Sequence, residues 1–124
     1  MELDGAVKDL WQHAIAPGTR QAYNTGYNMY IQFLLLSGVI ACATPSNVPV
    51  SDDLLIYFVT HCASTLAISY ATIKIYLCGI RFMCLENNIH YPAIHELSRL
   101  KAILNGVKRS QRFQNLDILL LMQY

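Results

Sequence analysis

Apolar residues return every three or four positions through most of the chain, and Pro, Gly and Asn break the pattern at intervals. Nowhere do four or more residues between turn signals alternate apolar with polar, so the periodicity predicts an all-α protein, a compact bundle of four to five helices. A first helix is expected over about 6–15, with Leu10, Trp11 and Ala14 on one side, ending at Ala16-Pro17-Gly18. Pro17 opens a second helix over about 19–37, where Tyr23, Tyr27, Tyr30, Ile31 and Leu34 make the apolar stripe and Gly38 the stop. After the connection 39–50, Ser51 followed by Asp52 and Asp53 is an N-cap with acids in the first turn, and a third helix runs to about Ser64. A fourth begins at Ser69, carries Ile73, Leu77, Ile80 and Cys84, and ends at Asn87-Asn88. A fifth is expected over about 95–110 with Leu97, Leu100, Leu104 and Val107 inward, and 116–124 reads as a separate, helix-like apolar run without a stop signal.

Length and composition sharpen this picture. The 124 residues, 54% of them hydrophobic, suit one domain with a core of its own, and rule against low-complexity disorder. The longest apolar stretch, Phe33 to Ala43, is too short for a membrane-spanning helix. The acidic start Met1-Glu2-Leu3-Asp4 does not resemble a leader peptide, which places the chain inside the cell by default. Cys42, Cys62, Cys78 and Cys84 form no Cys-x-x-Cys pair, and three occupy apolar helical positions, so they read as reduced core thiols; no metal site is expected.

The formal net charge of +1 conceals an uneven distribution. Residues 1–59 are acidic in balance. Residues 60–115 carry Lys74, Arg81, Arg99, Lys101, Lys108, Arg109 and Arg112 against only Glu86 and Glu96, as a polyanion-binding surface would.

Three groups carry that chemistry. On the fourth helix Tyr70, Lys74 and Arg81 fall within roughly 40° of one another at about 100° per residue, a ridge whose cations could reach phosphates or a guanine edge. On the fifth, Lys101, Asn105, Lys108 and Arg112 are spaced by four, three and four, beside Arg109. Uncompensated cations there repel one another and gain by displacing counterions from a phosphate backbone. At the start of the second helix Thr19, Arg20, Gln21 and Asn24 surround a helix N-terminus that attracts anions, although Thr19 and Arg20 read equally as a cap and a solvent-facing charge. Each group also reads as an ordinary solvated face, and the tyrosines at 23, 27 and 30 as core.

The same residues carry a family likeness. Ala16-Pro17-Gly18-Thr19-Arg20-Gln21-Ala22-Tyr23, continuing to Tyr30-Ile31-Gln32-Phe33, resembles the opening helix of the core-binding domain of tyrosine recombinases and phage integrases. Pro49-Val50 to Val59 resembles the family's second helix, Ser69-Tyr70-Ala71-Thr72-Ile73 to Arg81 its Ser-x-x-Thr-Ile helix, and Leu104-Asn105-Gly106-Val107-Lys108-Arg109 its closing motif. The likeness covers about residues 8–112 and is nearest in flavour to eukaryotic elements of the DIRS and Crypton type.

The resemblance implies a SAM-like helical domain over 1–114 that clamps duplex DNA, with 115–124 the start of a following segment. Its DNA-facing residues would be Thr19, Arg20, Asn24, Tyr70, Lys74, Arg81, Lys101, Lys108, Arg109 and Arg112. The family's catalytic Arg, Lys, His-x-x-Arg box and nucleophilic Tyr are not matched here, and Tyr124 comes too early for the nucleophile. The expectation is therefore double-stranded DNA as partner, no cofactor, no enzymatic activity, and a nuclear site in a eukaryote. Self-association through the apolar C-terminal run would accompany it. The alternative is a helical protein–protein interaction module.

Overall fold

The computed structural model describes residues 3–42 and 47–122, with side chains described to residue 112. Among the described residues five α-helices follow in order: α1 (Leu3–His13), α2 (Pro17–Leu36), α3 (Asp52–Thr60), α4 (Tyr70–Glu86) and α5 (Ser98–Met122). A π-helical turn, His61–Thr65, extends α3, and a 3₁₀ turn, Ile94–Glu96, precedes α5. No strand occurs among the described residues, so the protein is all-α, as the periodicity predicts.

Local signals set most helix ends. Pro17 occupies the first turn of α2, where its missing N–H costs nothing and its fixed φ suits the helix. At the other end Gly38 takes φ 73°, and the Val39 N–H donates back to the Leu34 carbonyl at 2.9 Å. Ser51 caps α3 by accepting from the Leu54 N–H at 3.2 Å, with Asp52 and Asp53 in the first turn. Asn88, at φ 56°, closes α4 as the Ile89 N–H donates to the Cys84 carbonyl at 2.7 Å.

Two boundaries differ from the expected ones. Helix α5 begins three residues later than expected and runs unbroken to Met122 through what reads as a gap at 111–115. That stretch, Gln111-Arg112-Phe113-Gln114-Asn115, holds neither Pro nor Gly, so nothing interrupts the backbone ladder. Helix α1 begins earlier, at Leu3, and leaves Leu10 70% exposed, whereas Trp11 is half-buried. The remainder of the 116–124 apolar run, Gln123 and Tyr124, lies outside the described residues, as do the side chains beyond 112.

The chain gathers into two units, Met1–Asn47 with Ile75–Ile89, and Val48–Lys74 with His90–Tyr124. In the first, Tyr30, Ile31, Phe33 and Leu34 of α2 and Leu77, Ile80 and Cys84 of α4 are buried. Two glycines let these helices touch backbone to backbone: a Cβ on Gly26 would lie 2.6 Å from the Tyr76 Cα, and one on Gly79 2.6 Å from the Tyr23 Cα and carbonyl oxygen. In the second unit α3 packs against α5, and Val48, Val50, Leu55, Phe58, Val59, Cys62, Ile73 and Leu100 are buried.

The cysteines divide evenly. Cys62 and Cys84 are buried, and burial pushes each thiol up to about 11. Cys42 and Cys78 are exposed, so Cys78 departs from the core role its helical position suggests: it lies beside Lys74 and Arg81 on the outer arc of α4.

Candidate nucleic-acid interface

In the second unit, the N-terminus of α4 is tied to α5 by one side chain. The Tyr70 N–H donates to Gln111 Oε1 at 2.7 Å, and Gln111 Nε2 donates to the Ile68 carbonyl at 2.9 Å. One carboxamide thus satisfies an orphan donor of the first helical turn and a carbonyl of the preceding loop, a pairing that only a side chain with both a donor and an acceptor can make. Ser69 satisfies another orphan by accepting from the Thr72 N–H at 3.3 Å.

This anchoring places Tyr70, half-buried, where two lysines reach its ring. Lys74 Nζ, one turn along α4, lies 5.6 Å from the ring centroid, and Lys108 Nζ, from α5, lies 5.7 Å from it. Both distances are within cation–π range, where the ring quadrupole attracts an ammonium. Lys74 and Lys108 are otherwise exposed.

Along α5 the helical register carries the arrangement further. Lys101, Asn105, Lys108 and Arg112 fall within about 60° of one another, all exposed, and Arg109 stands exposed about 100° from Lys108. Among the described residues none of Lys101, Lys108, Arg109 and Arg112 is paired with a carboxylate. Arg99, on the same helix, behaves differently: its Nη1 lies 2.9 Å from Asp53 Oδ1 and 4.0 Å from Asp52 Oδ2, so the acids at the start of α3 neutralise it. An open groove of about 850 Å³ lines another side of α5, walled by Ala63, Ser64, Ala102, Gly106 and Ser110.

The first unit holds the remaining candidates, and one of them is engaged inward. Arg20 is only 17% exposed: Nη2 lies 3.0 Å from Glu86 Oε2, Nη1 donates to Glu86 Oε1 at 3.2 Å, and Nη2 donates to the Trp11 carbonyl at 2.6 Å. Its guanidinium carbon sits 5.5 Å from the Phe82 ring centroid, and Phe82 also meets Trp11 and Tyr23. Arg20 is therefore a tie between α1, α2 and α4 and not an outward charge, because Glu86 and the last turn of α1 offer it partners that solvent-facing phosphate would have to displace. Thr19 is exposed but sits within the first turn of α2, past the cap position held by Ala16. Asn24 is half-buried and Arg81 exposed. Of the tyrosines on α2, Tyr30 is buried, and Tyr23 and Tyr27 are half-buried, the Tyr27 hydroxyl pushed up by burial and by nearby Cys84.

Sequence spacing places the α5 cations on one face but gives no hint of Gln111 or of Tyr70 as a meeting point for two lysines. Gln111 stands 41 residues from its Tyr70 partner and belongs to no motif. Among the described residues no group of three or more His, Cys, Asp or Glu could hold a metal ion, and no helix is long and apolar enough to cross a membrane. No family model, curated protein or solved structure matches the chain.

Proposed function

We propose that the chain is a DNA-binding module of the kind found at the N-terminus of tyrosine recombinases and integrases, holding duplex DNA for recombination or integration while its own residues perform no chemistry. The observation that carries this reading is the outer face of α5. Lys101, Lys108, Arg109 and Arg112 stand exposed without carboxylate partners among the described residues, while Arg99 on the same helix is paired. Cations left unpaired on one face lose little on meeting phosphates and gain the entropy of released counterions. The resemblance of 16–33, 69–81 and 104–109 to the core-binding domain supplies the duplex as the polyanion and recombination as the setting. Lys74 on α4 adds to the same chemistry, and Arg81 supplies a further exposed cation on that helix.

Titrating a labelled duplex at two salt concentrations tests this. Binding that weakens steeply with salt supports it, and no binding at low salt removes it. A second reading, a protein-interaction module, draws on α1, where Leu3, Val7 and Leu10 make an apolar ridge at spacings of four and three and are 66, 50 and 70% exposed. Under that reading Leu3→Asp with Leu10→Asp abolishes association and duplex titration gives no signal.

A further inference from the structure

The Lys74–Tyr70–Lys108 cluster differs from the rest of the basic face. Elsewhere on α5, Lys101, Arg109 and Arg112 are exposed side chains, and Arg99 is met by Asp52 and Asp53. Here two ammonium groups from two helices converge on one aromatic ring, at 5.6 and 5.7 Å from its centroid, and neither meets a carboxylate among the described residues. The ring holds each lysine stem in place, so part of the rotamer entropy that a free lysine loses on gripping a ligand is already lost. Two like charges drawn to one ring gain from an anion that both can reach. The Gln111 carboxamide ties the backbone that carries the ring to α5, accepting from the Tyr70 N–H and donating to the Ile68 carbonyl, so the helix that carries Lys74 and the helix that carries Lys108 are joined beside it.

We infer that Lys74 and Lys108, organised by the Tyr70 ring and the Gln111 clamp, form a subsite for a single phosphate group. The inference deepens the DNA reading and rests on it for the source of that phosphate, a backbone diester. The lysines bind the anion; Tyr70 and Gln111 are positioning residues. Arg109 and Arg112 lack such an arrangement among the described contacts and contribute as loose screening charges.

Two arms test the subsite. In the first, inorganic phosphate is titrated into isotope-labelled protein while the Lys74, Lys108 and Tyr70 side-chain resonances are followed. The two lysines should shift together with one dissociation constant in the intact chain and in Tyr70→Phe, which keeps the ring. Tyr70→Leu and Gln111→Met should each weaken that binding by about three- to fivefold. In the second arm, duplex affinity is measured across salt for the intact chain and for Lys74→Ala with Lys108→Ala. One shared phosphate makes the slope of log K against log salt fall by about 0.9 in that double variant, whereas two independent contacts make it fall by about twice as much.

Phosphate binding at the lysines without duplex binding keeps the subsite and removes DNA as its source. Duplex binding with silent lysine resonances, or with a slope that falls by two contacts or none, overturns the subsite and leaves the DNA reading standing. Silence in both arms ends both. Tyr70→Phe and the lysine variants change exposed or conservative positions, so a folding failure of Tyr70→Leu does not block the test.

Discussion

Arg20 and Glu86, 66 positions apart in sequence, meet at 3.0 Å with 17 and 18% of their side chains exposed. The same guanidinium donates to the Trp11 carbonyl, so a single cation ties the end of α1 to α2 and α4. Removing it leaves the Glu86 carboxylate in a largely desolvated place and loosens α1, which buries no residue of its own. Arg20→Ala should lower the unfolding free energy by on the order of 2 kcal/mol in urea titrations, discounted from the figure for a fully buried pair. Duplex affinity of the folded variant should stay within about twofold of the intact chain, since loss of one exposed-type contact would alter it by more. A folded variant with sharply weakened binding would return Arg20 to the DNA-facing set.

The α2–α4 crossing depends on the lack of a side chain at two places. An added Cβ at Gly26 or Gly79 would stand 2.6 Å from backbone atoms of the facing helix, which cannot rotate aside. Gly26→Ala gains about 1 kcal/mol of helix propensity and loses more to the forced separation of the helices. A net loss of about 1–3 kcal/mol is expected from thermal or chemical unfolding, and likewise for Gly79→Ala. A stabilised Gly26→Ala protein would show that the helices do not cross so closely.

The outer face of α5 should act through salt-dependent affinity alone. Lys101→Ala, Arg109→Ala and Arg112→Ala remove exposed side chains, so the thermal midpoint should move little. Each should flatten the salt dependence of duplex binding by up to about one contact, whatever the DNA sequence. Arg99→Ala is the control: its charge is already met by Asp52 and Asp53, and its loss should leave the slope unchanged.

The buried thiols give a signed dependence on pH. Folding raises Cys62 and Cys84 from the ordinary 9.0 to about 11, so the folded state resists ionisation that the unfolded chain undergoes freely. Their contribution is complete below pH 9, declines as pH climbs from 9 to 11, and levels off above that. The decline is on the order of 2 kcal/mol per thiol, measured by urea unfolding under reducing conditions. Cys62→Ala with Cys84→Ala should be less stable at pH 8 and lose less on going to pH 10.5. In the native protein at pH 8, a thiol-alkylating reagent should modify Cys42 and Cys78 and spare the other two.

How much of this was legible in advance follows the range of each interaction. The helix punctuation at Pro17, Gly38, Ser51 and Asn88 depends on backbone geometry within a few residues, and the sequence states it directly. The α5 cation face is equally local, since register along one helix sets it. The inward turn of Arg20, the Gln111 clamp and the two glycine contacts depend on residues about 40 to 66 positions away, and no local pattern separates a tied arginine or a packing glycine from an ordinary one. The continuous α5 falls between these cases: the residues of 111–115 permit a helix, but their polarity and the loss of a clear apolar stripe disguise it.

The π-helical turn at the end of α3 holds one more residue than an α-helical turn would, with the Leu66 N–H donating five positions back to the His61 carbonyl at 3.1 Å. Directly after it Ala67 takes the left-handed φ of 54° that reverses the chain toward α4. Chain length is therefore slack here and taut elsewhere: dropping one residue among 63–65 would let the wide turn relax into common helical pitch, whereas the same deletion inside α4 would swing every later side chain by about 100°. Length polymorphism of a single codon should be tolerated at this turn before anywhere else in the helical framework.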